Sequence, residues 1–325
     1  MLKWQWKELM WMKKMIDMRK YVEKILKEFN IETSILDVYF EPNRFYHNWD
    51  HINAMIESAG NMIRPPENIQ FKDLVLAIVF HDIIYDPKRT DNEERSADLF
   101  YSYVKNKHIK QAILDTKIHK PSNELSKILC ELDIENLYGD FDNFIDISYK
   151  VFKEYQFVDW KTYSVERIKF LEKYNVDPIY IKAVKSFKPN IAIYAGSFNK
   201  FHKGHYNILE KAERIFDKVI IARGVNPDKD NKLHNLPDII CNRQIENYDG
   251  LLTDFIDSLG YNVTLIRGLR NITDLQFELK QYQYLKDFKP DINVVSIFCD
   301  KEFEHLSSSA IRMLEKYNKS NNYLI

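Results

Sequence analysis

Hydrophobic positions recur with two different periods along this chain, and the change falls near residue 190. Before it, apolar residues follow the three-and-four spacing of an amphipathic helix: Ile52, Met55, Ile56 and Ala59, then Leu74 and Ile78, then Ile109 and Ile113. Trp4, Trp11, Met15, Met18 and Val22 obey the same rule. Charges such as Glu8 and Asp17 among them favour a first helix packed on its own domain over a membrane-surface or partner-binding segment. Glycine occurs only at Gly60 and Gly139 before Phe187, and Pro65, Pro66, Pro87 and Pro121 mark loops or helix boundaries. Val165, Ile168, Leu171, Ile181 and Val184 carry the helical pattern on to closing helices. An all-α domain over 1–187 is predicted. Its boundary falls at Ser186-Phe187-Lys188-Pro189-Asn190, because the residue before a proline is pushed out of helix.

From Ile191 the pattern alternates. Short apolar runs predict strands at 191–195, 218–223, 262–266 and 292–298, and helical patterns fall at 204–216, 250–259, 272–288 and 307–318. Such alternation predicts an α/β domain over 190–325, a Rossmann-like parallel sheet with helices on both faces and ligands at the carboxyl ends of its strands.

Composition narrows the function without naming it. Lys and Arg number 47 against 48 Asp and Glu, a formal charge of -1, so no global basic field points to nucleic acid. Cys130, Cys241 and Cys299 are far apart and form no metal-binding or redox spacing, as expected of thiols in a reducing compartment. No apolar run has the length of a membrane span, and no charged-then-apolar leader opens the sequence. A soluble cytoplasmic enzyme is the expectation.

The chemistry concentrates at strand ends and in one helical cluster. Ile191 to Leu209 reads IAIYAGSFNKFHKGHYNIL, a strand, a glycine break and a helix start bearing His202 and His205. Glycine lets backbone approach a phosphate, helix N-terminal amides point at anions, and two histidines three apart share a helix face. Three further polar junctions follow the later strands: Gly224 to Lys229, Arg267-Gly268-Leu269-Arg270, and Leu306-Ser307-Ser308-Ser309-Ala310-Ile311-Arg312. Serines opening the last helix suit a cap or a phosphate. In the helical half, His81-Asp82 ends the apolar run Leu74 to Val79, and His47 and His51 stand at i, i+4 on one helical face. Asp133 lies in a later segment, and two such imidazoles with two carboxylates, from these three histidines and two aspartates, suit a divalent transition metal such as Mn, Fe, Co or Zn. Such an ion lowers the pKa of a bound water and orients a phosphate.

The first half resembles the HD superfamily of metal-dependent phosphohydrolases. The likeness is carried by Tyr46-His47-Asn48 through His51-Ile52, Phe80-His81-Asp82 with Tyr85-Asp86-Pro87, Asp91 to Ala97, Thr116 with His119, and Leu132-Asp133. The resemblance implies His51, His81, Asp82 and Asp133 as metal ligands, with His47, Glu93 and His119 facing the same cleft.

The second half resembles the HxGH nucleotidyltransferases, and within them phosphopantetheine adenylyltransferase. Its marks are GSFNKFHKGH (196–205), NPDK (226–229), YDGLLTDF (248–255), RGLRNITDLQFE (267–278) and SSSAIR (307–312). The resemblance implies adenylyl transfer from Mg-ATP to a phosphate monoester, with release of pyrophosphate. By position, Gly196, Ser197, Phe198 and His205 would hold the ATP phosphates together with Arg270, and His205, assisted by His202, would stabilise charge on the α-phosphate. Lys229 and Arg267 would take part in catalysis and bind the acceptor phosphate with Ser197. Leu252 would shape the acceptor pocket, and Glu278, Ser307, Ser308 and Ser309 would contact adenosine and phosphates.

Three departures from that family lie on the acceptor side: Leu285 at an asparagine position, Tyr282 and Tyr284 crowding the same turn, and a short segment between Lys229 and Tyr248 with Asp230 in its lysine loop. His202 and Ile311-Arg312 lean towards a nicotinamide or nicotinate mononucleotide acceptor. A nucleotide-sensing module that controls the HD domain without turnover is a third alternative. The expected partners are ATP, a small phosphorylated acceptor and, as such transferases assemble, further copies of the chain; nucleic acid and membrane are not expected.

Overall fold

The structure is a computed structural model that describes residues 17–62, 69–225 and 235–325. Trp4, Trp11, Met15, Pro65, Pro66 and the stretch from Asn226 through Lys229 to Asp230 lie outside them. The chain divides into two units, one of Met1–Glu154 with Ile168–Lys185, the other of Tyr155–Arg167 with Ser186–Ile325.

The first unit is helical. Helix α1 spans 17–28 of the described residues, with Val22 buried and Met18 packed on the core. A 3-10 segment follows at Thr33–Phe40, then α2 (Trp49–Gly60) and α3 (Phe71–His81). Every residue of α3 from Leu74 to His81 is buried, as an all-round apolar helix must be when it forms the centre of a bundle. Helices α4 (Asn92–Tyr103), α5 (Lys107–Thr116) and α6 (Glu124–Ile134) pack with it, and α7 (Phe141–Glu154) follows. Asn48, Asn106 and Asn123 cap α2, α5 and α6 by accepting from backbone amides of the first turn, so local sequence starts these three helices. Helices α8 (Trp160–Lys173) and α9 (Pro178–Ser186) complete the helical series.

Residues 155–167 depart from the expected boundary, since they group with the second unit. The buried Lys218 explains this. Its ammonium donates to the carbonyls of Gln156 and Val158, the second at 2.9 Å, and the Gln244 amide donates to Gln156 at 3.0 Å. Tyr261 adds a hydrogen bond to Asp159 at 2.8 Å, and Trp160 packs on the core beneath the sheet. A buried ammonium must be matched by acceptors, and these carbonyls supply them.

The second unit is a parallel sheet in the order β3-β2-β1-β4-β5. Its elements in chain order are β1 (Ile191–Gly196), α10 (Lys203–Glu213), β2 (Lys218–Gly224), β3 (Ile245–Tyr248) and α11 (Leu252–Leu259). Then come β4 (Thr264–Leu269), α12 (Ile272–Phe288), β5 (Asn293–Phe298) and α13 (Ser308–Glu315). Strand order reverses between β1 and β4, and a crevice at the carboxyl ends of strands forms at such a reversal. Core residues sit on both faces, Tyr194 and Ile266 on one and Ile193 and Leu265 on the other.

Two sequence expectations are corrected here. The sheet has a fifth strand, β3, because Ile-Glu-Asn-Tyr on an edge needs no apolar run; a short 3-10 turn at Asp238–Ile240 precedes it. The third expected strand shifts towards the C-terminus: Arg267, Gly268 and Leu269 are the last residues of β4, paired with Ser296, Ile297 and Phe298, rather than a loop beyond it.

Candidate functional site

The HKGH stretch is built from close approaches. Phe198 has a positive φ of 45°, and its buried ring lies edge-on to His205 at 5.2 Å between centroids. A Cβ on Gly196 would come within 2.9 Å of that ring, so the strand must end in glycine for the phenylalanine to fold back. His202 is the N-cap position of α10 in an extended conformation, and its ring stacks on that of His205 at 3.7 Å. Gly204 makes room for this, as a Cβ there would meet the His202 ring at 3.1 Å.

Around this pair lies a cavity of about 600 Å³. Gly196, Ser197, Phe198, His202 and His205 line one side, Arg267, Arg270 and Glu278 another, and Ser307 and Ser308 a third. Of the expected ATP-side residues, Ser309 alone is outside the lining; its hydroxyl accepts from Arg312 at 3.0 Å. Leu252, the first residue of α11, packs partly buried against the core on the other sheet face, as does Leu285, and neither lines the cavity. Lys229 lies outside the described residues.

Both arginines are held by carboxylates of α12. Arg267 pairs in bidentate fashion with Glu278 (2.6 and 2.9 Å), and Arg270 with Asp274 (2.8 and 2.8 Å) while also donating to the Leu306 carbonyl. Asp274 escaped sequence reasoning; its only signal is its place four residues after Arg270 on a helix start. Ser307 caps α13 by accepting from the Ala310 amide at 3.1 Å. The histidines are electrically quiet. Burial, then the charge of Arg270, drives the His202 imidazolium down to about 4. Burial, His202 and Arg270 hold His205 well below its ordinary value. Both are neutral at neutral pH, with the His202 ring nitrogens buried and free of protein hydrogen bonds.

The helical unit gathers a second set. Ligating atoms of His51, His81, Asp82 and Asp133 lie within 4.8 Å of one another. His81 Nδ1 is 2.7 Å from the Ile78 carbonyl, which only accepts, so Nδ1 carries a proton and Nε2 is left to face the carboxylates. That Nε2 faces Asp82 at 3.0 Å and Asp133 at 3.5 Å, and His51 Nε2 faces Asp133 at 3.3 Å. Two imidazoles and two carboxylates meet here, a donor set of the kind that suits a divalent transition metal once His81 Nε2 gives up its proton.

Supporting contacts come from distant sequence. Glu154, at the end of α7, is a buried carboxylate that accepts from the Tyr46 and His47 amides (2.7 and 2.9 Å), His47 Nδ1 (2.6 Å) and the Tyr85 hydroxyl (2.8 Å). Asn48 caps α2, so His47 precedes the helix; the expected i, i+4 helical pairing with His51 is corrected, and the rings meet instead at 6.1 Å through this loop. Buried Arg44 donates to the carbonyls of His47, Asp82 and Ile83. His119 joins Asp133 to the Tyr174 hydroxyl, 2.9 Å on each side. Glu93 is half-buried; burial and then the charge of Asp82 raise its pKa. Burial opposes charge on His81, yet Asp82 and Asp133 raise it well above the ordinary histidine value. His81 in turn outweighs burial at Asp82 and lowers that carboxyl to about 2.

Comparison with known proteins bears on the sheet unit. A family model described as cytidylyltransferase-like matches residues 193–314. A phosphopantetheine adenylyltransferase of Mycoplasma capricolum is 40% identical over 138 residues, which is 40% of this chain and 99% of that protein. Those of Rhodopirellula baltica (30% over 144 residues, 42% of this chain and 80% of that protein) and Clostridium tetani (31% over 137 residues, 39% and 85%) are similar. The C-terminal part of the chain, with its five-stranded parallel sheet and its paired histidines, thus belongs to the phosphopantetheine adenylyltransferase family.

Proposed function

We propose that the sheet unit transfers the adenylyl group of Mg-ATP to 4'-phosphopantetheine, giving dephospho-coenzyme A and pyrophosphate. The observation that carries this is the neutral, stacked His202–His205 pair facing Arg267, Arg270 and the serine-opened α13 across one cavity. Nucleotidyl transfer needs donors and cations arranged around developing negative charge more than covalent help. A neutral His205 donates a hydrogen bond to an α-phosphate oxygen while keeping its proton, and His202 fixes the ring from behind. The two guanidiniums exchange their carboxylate partners for phosphate oxygens. Magnesium arrives with ATP as part of the substrate, and Lys229 with Arg267 and Ser197 receives the acceptor phosphate. Relatives bearing the phosphopantetheine name favour that acceptor over a mononucleotide. Pyrophosphate release from Mg-ATP with phosphopantetheine, nicotinamide mononucleotide, nicotinate mononucleotide and small phospho-alcohols tests this. Release with phosphopantetheine alone is expected. Turnover with a mononucleotide alone would overturn the acceptor, and ATP binding without any release would favour a sensor.

We further propose a metal-dependent phosphohydrolase in the helical unit, carried by the convergence of His51, His81, Asp82 and Asp133. The ion would supply a water of lowered pKa at neutral pH. His47, steadied by Glu154, and His119, steadied by Tyr174, would bind or protonate the phosphorylated substrate beside it. Elemental analysis of wild type and Asp82→Ala is the test, and equal metal in both would count against this site.

A further inference from the structure

We infer that residues 320–325 form a strap that positions the HKGH turn, and that Lys203, between His202 and Gly204, is its anchor. The consequence for catalysis rests on the adenylyltransferase proposal; the geometry does not. The first amides of a helix have no partner within it. On α10 the amide of Lys203 donates to the Tyr323 carbonyl at 3.0 Å, and its ammonium donates to the Asn322 carbonyl at 2.7 Å. His202, extended at φ -136° and ψ 169°, pairs with Leu324 in an isolated antiparallel bridge. The strap is itself held: Ser320 is buried, its carbonyl accepts from Tyr323 at 2.9 Å, and the Tyr323 ring meets His305 edge-on at 5.6 Å. A further tie, Lys200 to Glu315 at 2.7 Å, joins the loop before the motif to the end of α13.

Two observations give the strap a task. His202, Gly204 and His205 line the cavity, whereas Lys203 does not, so the ammonium serves the strap and not the phosphates. The buried ring nitrogens of His202 have no protein hydrogen bond. Its ring is therefore set by its backbone and by stacking, and the bridge to Leu324 is a restraint on that backbone. A shift of about 1 Å in a group aligned on a reacting centre costs up to about 10²-fold in rate.

The test uses the full chain, a variant ending at Asn321, Lys203→Ala, Lys203→Arg and the truncation combined with Lys203→Ala. Amide hydrogen exchange over 199–206 and the kcat and KM for ATP are measured on each. Truncation is expected to speed exchange at the Lys203 amide and to lower kcat about tenfold with KM for ATP little changed. Lys203→Ala should lower kcat less, Lys203→Arg should restore it, and the combination should be no worse than truncation alone. Unchanged exchange, or additive losses, would overturn the strap. A raised KM with unchanged kcat in Lys203→Ala would make the lysine a phosphate ligand instead. If truncation unfolds the protein, the Ala and Arg pair carries the test. If wild type releases no pyrophosphate, the adenylyl proposal fails, and exchange still decides the strap: an unchanged rate at the Lys203 amide on truncation would sink it.

Discussion

The chain builds two histidine centres with opposite electrostatics. In the helical unit His51 and His81 face Asp82 and Asp133, and His47 faces Glu154; burial disfavours the charge on His47, but the carboxylates raise its pKa. In the sheet unit His202 and His205 have an arginine for company, so burial and Arg270 act in the same direction and leave them neutral. Both centres remove imidazoles from water. What differs is the sign of the neighbours. In the proposed functions, histidines among carboxylates would receive a cation, and neutral histidines beside guanidiniums an anion.

Breaking either centre should leave the other intact. The largest effect is expected for His205→Ala, which should lower the rate of pyrophosphate release about 10²–10³-fold with metal content unchanged, because one donor to developing charge is lost. An unaltered rate would remove His205 from the site. Asp82→Ala should reduce bound metal about tenfold or more, measured by elemental analysis, while pyrophosphate release stays at the wild-type rate. Loss of both activities in either variant would show the contrast to be wrong.

Smaller changes sharpen the contrast. Glu154→Gln turns an all-acceptor group towards donors from His47 and Tyr85, and should destabilise the helical unit by about 2 kcal/mol in urea unfolding. A shift of that size in the sheet unit, or none in either, would contradict the role given to Glu154. The smallest effect is on pH dependence. His202 lies at about 4 folded against 6.5 as a free side chain, so the unfolded chain takes up a proton that the folded one refuses. The stability this contributes is present above 6.5 and is lost as pH falls from 6.5 towards 4. The thermal midpoint of His202→Asn should therefore fall less between pH 7 and pH 5 than that of wild type; an equal fall would contradict a neutral His202.

Residues that act beside one another in the chain were legible from it. HKGH, His81-Asp82 and the serines of α13 are local, and each marks a helix end. The apolar helical background made His81, Asp82 and Asp133 conspicuous beside His47 and His51, but the choice of four ligands came from the resemblance to the HD superfamily. Glu154 was not legible, since nothing near it distinguishes it from other glutamates on amphipathic helices and it meets His47 from 107 positions away. Arg44 and Tyr174 escaped for the same reason. Strand β3 was missed because its side chains are half-exposed, so periodicity carried no signal. Arg267 was placed after its strand because an arginine-glycine pair reads as a loop when its pairing with β5 is unknown.

The cage around Lys218 has a consequence for how the protein comes to be made. Its carbonyls, at Gln156 and Val158, lie 62 and 60 residues ahead of the ammonium they receive. During synthesis from the N-terminus, segment 155–167 emerges well before β2 and has to wait for it, while the local contacts of α2 to α6 are already complete. A fragment ending at residue 187 would contain that segment without its sheet. Trp160 and Tyr261's partner Asp159 would then face water. A fragment ending at Glu154 would cut residues 168–185, the second half of α8 with α9, from the helical unit and with them Tyr174, the support of His119. No single cut in this chain separates the two units cleanly.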